Sequence, residues 1–171
     1  MNWISIDPAT KTGIARWHDH ELMYVATMRP ASPKERKAHG PEAVAVVSQG
    51  ITRVMSDRLA FWTTELATAS AVVVEEAMGF SPKAVAQLGF RRGYIAACAE
   101  RFSLAHTEVN TSSWRKVAGE AWNVSFPAKA EAAKALSVSL VREHYGVECS
   151  DDEADAVLIG HWALRTRTVR P

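Results

Sequence analysis

The C-terminal part of the chain concentrates acidic side chains that could bind a cation. Within five positions the sequence places four carboxylates: Asp151, Asp152, Glu153 and Asp155. If this stretch is helical, Asp152 and Asp155 lie on one face with Cβ atoms about 5–6 Å apart. Ile159 and Trp162 continue that face, which predicts that the two aspartates point inward. Buried like charges repel each other, and a divalent metal ion between them would remove the repulsion.

The same acidic stretch also has a purely structural interpretation. Ser150 and Glu153 have the spacing of a capping box, and acidic residues in a first turn suit the helix dipole. A shared site is favoured because other carboxylates stand at the ends of apolar strands. Asp7 closes the first strand, since Pro8 cannot donate to a β-ladder and biases Asp7 toward an extended conformation.

A further strand-end carboxylate follows residues 71–74. This run is apolar, rich in valine and without alternation, as is typical of a parallel strand that is buried on both faces. It ends in Glu75 and Glu76, which point to opposite faces of a strand. Periodicity alone does not choose between these two glutamates.

The elements that must position the acids can be predicted from periodicity and turn residues. The predicted strands are 1–6, 14–17, 21–28, 71–76 and 104–109. The predicted helices are 41–66, 81–102, 114–117, 127–145 and 150–164. The segments 29–40 and 119–126 are predicted to be loops, the first of them polar and basic.

This order predicts an α/β fold in which a mixed sheet is flanked by helices. If the first strand is parallel to strand 71–76, Asp7 and Glu75 lie at the carboxyl ends of neighbouring strands, where open α/β sheets place their sites. The last helix would bring Asp152 and Asp155 to the same edge. Oxygen ligands without histidine or cysteine suit Mg²⁺ or Mn²⁺. Two such ions about 3.5–4 Å apart can support phosphoryl transfer.

Composition limits the alternatives. The chain has 171 residues, of which 47% are hydrophobic and 23% charged, as expected for one globular domain. Its formal charge of +1 means that any nucleic-acid contact must use local basic patches. Two such patches are the segment 29–37 and the tail with Arg165, Arg167 and Arg170. Cys98 and Cys149 fit no metal-ligand spacing and are expected to be reduced.

The N-terminus enters an apolar strand without a basic leader, and no apolar run approaches the ~18–20 residues that span a bilayer. We therefore expect a soluble, cytoplasmic protein that does not contact a membrane.

The strand and helix motifs resemble the RuvC family of Holliday-junction resolvases, which belongs to the RNase H-like (retroviral integrase) superfamily. The resemblance extends over nearly the whole chain, and the segments that carry it are 4–8, 12–15, 72–76 and 152–156. It implies a single RNase H-like nuclease domain over residues 1–171, with an antiparallel three-strand meander and two parallel strands. Ala9 departs from the glycine that the family often has after Asp-Pro.

The resemblance also implies roles for individual residues. The family's metal-binding acids match Asp7, Glu75, Asp152 and Asp155, which selects Glu75 over Glu76, and they imply two Mg²⁺ ions per site, with Mn²⁺ as an alternative. Lys129 would stabilise charge at the scissile phosphate. The residues expected to contact DNA are Lys116, Lys129, Arg92 and Phe80. Phe80 could stack on an unpaired base or, equally, pack at the entry of a helix.

These features predict a Mg²⁺-dependent endonuclease that resolves four-way junctions by paired cleavage. Residues 86–93 resemble the helix through which the family forms dimers, so a homodimer without organic cofactor is expected in a bacterial or phage-infected cell. The alternatives are the same chemistry on forks, flaps or RNA–DNA hybrids, an ATP-binding half domain suggested by Thr10–Gly13, and a catalytically silent DNA-binding module. The chain lacks room for the second domain that nucleotide enclosure needs. A mere binder gains nothing from acids that face phosphates.

Overall fold

The computed structural model describes residues 1–9, 11–76 and 82–169 of the chain. Within these ranges, the strands form one sheet, and helices connect and follow them. The strands are β1 (Asn2–Asp7), β2 (Thr12–His18), β3 (Glu21–Pro30), β4 (Val44–Ser48), β5 (Ile51–Met55), β6 (Ala71–Glu76) and β7 (Ala105–Asn110). The helices are α1 (Pro33–His39), α2 (Arg58–Leu66), α3 (Pro82–Arg101), α4 (Thr111–Trp122), α5 (Ala130–Tyr145) and α6 (Asp151–Arg165).

The sheet is mixed and has the strand order β5-β4-β3-β2-β1-β6-β7. Each consecutive pair from β1 to β5 is antiparallel, whereas β6 is parallel to both β1 and β7. The predicted α/β architecture, with an antiparallel meander joined to two parallel strands, is therefore confirmed. The parallel pairing of β1 with β6 is the feature on which the proposed meeting of Asp7 and Glu75 depends.

The side chains of β1 alternate between the two faces of the sheet, and each face has its own hydrophobic core. Ile4 and Ile6 face a core that includes residues of α2 and α3, whereas Trp3 faces the core that contains α6. Ser5 lies on the α6 face too, because its hydroxyl donates to the carbonyl oxygen of Ala156 at 2.7 Å. Side chains two residues apart share a face of a strand. Asp7 therefore belongs to the α6 face.

The prediction of one helix over 41–66 is wrong in its first half. Residues 44–55 form the β4–β5 hairpin, and only α2 is helical. The reason lies in the two-residue turn, where Gln49 and Gly50 both have positive φ, at 49° and 77°. Such a turn matches the twist of paired strands, and the valine-rich flanks favour extended backbone. The sheet consequently gains two strands beyond the five that were predicted.

The segment 29–40 was predicted to be a loop, but β3 continues to Pro30 and α1 follows it. Ser32 caps α1 in a capping box with Glu35, and Pro33 stands in the first turn. The segment 119–126 is also not wholly a loop, since α4 continues to Trp122.

Helix α4 begins at Thr111, after the cap residue Asn110, and is longer than the predicted helix 114–117. The next helix, α5, begins at Ala130 rather than Pro127. The capping box of Ser150 and Glu153 at the start of α6 is present as predicted. Cys98 and Cys149 are both free thiols. In the described ranges, no helix combines the length and apolarity needed to cross a membrane.

Candidate active site

The candidate site lies at the rim of the sheet where β1 and β6 end. The parallel register pairs Ile6 with Val74, so the following residues, Asp7 and Glu75, stand side by side. Asp7 is 5% exposed, Glu75 is half-buried and Glu76 is exposed. The two strand-end acids expected from the sequence are thus neighbours.

Helix α6 brings the other two acids to this rim by lying directly on β1 and β2. Three residues of the helix at four-residue intervals make the contact: Asp152, Ala156 and Gly160. The backbone of Asp152 lies so close to Gly13 that a Cβ on this glycine would overlap the Asp152 carbonyl group. Gly13 is also the partner of Asp7 in the β1–β2 register. The close approach at Gly13 therefore sets the start of α6 beside Asp7.

The electrostatics show that the four carboxylates share one environment. Burial, followed by the charges of Glu75, Asp155 and Asp152, raises the pKa of Asp7 well above its usual value. Burial also raises the pKa of Asp155 to about 6, with a further contribution from the charge of Glu75. The charges of all three partners act on Asp7, so the acids that the sequence places far apart lie within electrostatic reach of one another.

Glu75 is held by two donors from α4. The Thr111 hydroxyl donates to Glu75 Oε1 at 2.7 Å, and Trp114 Nε1 donates to the same oxygen at 2.9 Å. These bonds hold the carboxylate oxygen Oε1 in place. The other carboxylate oxygen, Oε2, takes no part in them. Neither donor was predicted from the sequence, because each lies more than thirty residues from Glu75.

A lysine missed by the sequence analysis balances the acids on their outer side. Lys134 Nζ donates to Asp151 Oδ2 at 2.7 Å and to Asp152 Oδ1 at 3.1 Å. Burial raises the pKa of Asp152, and the bond from Lys134 opposes this rise. Lys134 thus supplies positive charge at the edge of the cluster, five residues beyond the predicted Lys129 on the chain.

The donor set fits a hard divalent cation. Asp155 Oδ1 is buried and has no hydrogen-bond partner in the described part of the chain, so no protein donor competes with a cation for this oxygen. All four side chains offer carboxylate oxygens, as Mg²⁺ and Mn²⁺ prefer. Among the described residues, however, no group of three or more Asp, Glu, His or Cys side chains already surrounds a point where a metal ion could bind.

The cations predicted to contact DNA occupy different positions. Lys129 is 79% exposed and lies 3.7 Å from Glu131, just before α5. Lys116 is 76% exposed, on α4. Arg92 is paired with Glu108, through a bond from its Nε at 3.2 Å. Phe80, like Thr10 of the nucleotide-binding alternative, lies outside the described residues.

Comparison with solved structures identifies proteins of similar fold. RuvC of Thermus thermophilus in complex with Holliday junction substrate is 15% identical, with a TM-score of 0.62 over 100% of this chain and 99% of that chain. A second T. thermophilus RuvC structure is 14% identical, with a TM-score of 0.53 and the same coverage. Fowlpox virus resolvase with Holliday junction DNA is 13% identical, with a TM-score of 0.45 over 99% of this chain and 100% of that chain.

No family model and no curated protein matches the chain. The RuvC-like fold, inferred above from strand and helix motifs, is confirmed by the similarity to RuvC along the entire chain. This similarity concerns architecture, since few residues are identical.

Proposed function

We propose that the chain is a divalent-metal-dependent endonuclease that resolves four-way DNA junctions. The observation that carries this proposal is the meeting of four carboxylates at one rim of a RuvC-like fold, with Asp7 buried among the other three. A fold of this kind does not by itself determine an activity. The proposal rests instead on the acids, because they form a costly arrangement that a bound cation would stabilise.

Asp7, Glu75, Asp152 and Asp155 are the residues that would hold the metal. Bound there, a pair of divalent ions would activate water and stabilise the leaving oxygen of a phosphodiester. Thr111 and Trp114 orient Glu75, and Lys134 orients Asp152. Lys129, just before α5, and Lys116, on α4, are exposed cations that would meet backbone phosphates in exchange for their surface contacts with Glu131 and Glu120.

We further propose that two copies act together, since paired cleavage of a four-way junction needs one site on each of two strands. Helix α3 offers the contact surface. It exposes Val85 and Phe90, which are 54% and 74% accessible. We propose that a second copy covers these exposed apolar side chains.

The support given to Glu75 makes a first test of the metal proposal. Thr111→Val removes one of its two donors while it preserves the side-chain shape. We expect Mg²⁺ affinity to fall about tenfold with unchanged circular dichroism, since outer-sphere partners of metal ligands typically contribute 10–100-fold. Thr52→Val, on the exposed edge strand β5, is the matched control. Equal Mg²⁺ affinities in both variants would show that Thr111 does not support the metal site.

The substrate is tested by competition between labelled DNA structures. We expect the wild-type chain with Mg²⁺ to nick a synthetic four-way junction at symmetric positions on two strands. Flaps, forks and RNA–DNA hybrids should compete poorly. All competitors are compared at one salt concentration, because backbone affinity depends steeply on ionic strength. Preferential cleavage of a hybrid or a flap would contradict the junction assignment and would favour the alternative nuclease.

A further inference from the structure

Helix α1 carries three basic side chains that do not belong to the candidate site. Lys34, Arg36 and Lys37 are all exposed on this short helix. In the described ranges none of the three forms an ion pair with a carboxylate. A protein with a formal charge of only +1 thus presents three uncompensated positive charges within four positions.

The one acidic residue of α1 is turned away from these cations. Glu35 accepts from Arg29 Nη1 at 2.9 Å and from Arg29 Nη2 at 3.0 Å. It also accepts from the backbone of Ser32 within the capping box. These bonds lower the pKa of Glu35 to about 2. Glu35 therefore anchors the helix to the end of β3 and does not neutralise its outer surface.

The sheet topology places α1 at the same rim as the four carboxylates. Strand β3 is antiparallel to β2, with Met28 opposite Thr12, and Gly13 lies opposite Asp7. The end of β3 therefore reaches the edge at which β1 ends. Since neighbouring strands are about 4.8 Å apart, β3 lies about 10 Å from β1. Helix α1 extends from this position, on the side of Asp7 opposite to β6.

We infer that α1 binds backbone phosphates of a duplex arm, a few base pairs away from the cleaved bond. This inference rests on the proposed nuclease function and adds a contact to it. Lys116 and Lys129 belong to α4 and the start of α5, which follow β7 in the chain, whereas α1 follows β3 on the other flank of the site. Cations on both flanks would hold DNA across the carboxylates, which by themselves repel it.

The test is the salt dependence of junction binding, measured by fluorescence anisotropy in EDTA so that no cleavage occurs. The variant combines Lys34→Gln, Arg36→Gln and Lys37→Gln and leaves Arg29 in place. Each lost phosphate contact lowers the slope of log affinity against log salt by about 0.9. We expect a slope smaller by about 2–3 and weaker binding at low salt, with unchanged circular dichroism.

The control removes positive charge elsewhere, through Arg101→Gln and Arg142→Gln. These residues lie in the last turns of α3 and α5, outside both basic patches of the sequence. The control should keep the wild-type slope. An unchanged slope in the α1 variant, or an equal reduction in both variants, would overturn the inference. Mg²⁺-dependent cleavage by the wild type is measured separately, so its absence contradicts the nuclease proposal and not the assignment of α1.

Discussion

Asp7→Asn is expected to abolish Mg²⁺-dependent cleavage of a four-way junction while binding of the junction persists. Asp7 is the acid on which the charges of the other three converge, so its loss removes the central ligand of the proposed ions. A metal contribution of about 4 kcal/mol corresponds to about 10³-fold in rate, which sets the smallest loss that we expect. Single-turnover cleavage and anisotropy on the same junction provide the two measurements.

The same substitution should stabilise the protein in EDTA at pH 8. Burial and three neighbouring carboxylates raise the pKa of Asp7, so its charged form opposes folding. A carboxyl group whose pKa is higher in the folded than in the unfolded state makes the protein less stable as the pH rises from the unfolded-state pKa towards the folded-state pKa. For Asp155 this window runs from 3.8 to about 6. In urea unfolding, the gain in stability from Asp7→Asn should therefore be larger at pH 8 than at pH 4.

Asp151→Asn is the control for this effect, because Asp151 belongs to the same cluster but has the opposite shift. The hydrogen bond from Lys134 lowers its pKa, so its charge favours the folded state. Asp151→Asn should give no gain in stability at pH 8. If Asp7→Asn were as unstable in EDTA as the wild type, the four acids would not repel one another in the folded chain.

Gly13→Ala is expected to destabilise the fold severely and to eliminate cleavage. A Cβ at this position would overlap the carbonyl group of Asp152 and approach the nitrogen of Glu153 to 2.9 Å. These are backbone atoms of α6, which cannot rotate away as a flexible side chain could. The start of the helix would have to move off β2, and overpacking of this kind typically costs about 1–3 kcal/mol or more. Thermal unfolding and junction cleavage would reveal both consequences.

Gly89→Ala provides the comparison within the same chain. A Cβ on Gly89, in helix α3, would meet no atom within 4 Å. This substitution should stabilise the helix by about 0.5–1 kcal/mol. If Gly13→Ala were tolerated as well as Gly89→Ala, α6 would not be held against β2 in the way that positions Asp152.

The acids were predictable because each carries a local signal. Asp7 stands before a proline that ends a strand, Glu75 follows a valine run, and the α6 acids follow the cap residue Ser150. The hairpin of β4 and β5 was missed because Val44, Val47 and Ile51 recur at helical spacing, although valine and isoleucine also favour extended backbone. Gln49-Gly50 is the turn signal that distinguishes the two, through its positive φ angles.

The partners of the acids could not be predicted in this way. Thr111 lies 36 residues from Glu75, and Lys134 lies 18 residues from Asp152. Contacts at such separations depend on how α4, α5 and α6 pack on the sheet, which periodicity does not specify. The same limit explains why Lys129, chosen through resemblance, points to solvent while Lys134 contacts the cluster.

Metal binding by the purified chain tests the meeting of the four carboxylates most directly. Mn²⁺ is titrated into the wild type and Asp7→Asn at pH 8, and free Mn²⁺ is followed by electron paramagnetic resonance. We predict saturable binding to the wild type, displaced by Mg²⁺ and lost in Asp7→Asn. Equal Mn²⁺ binding by both proteins, or none by either, would contradict a metal site built on Asp7.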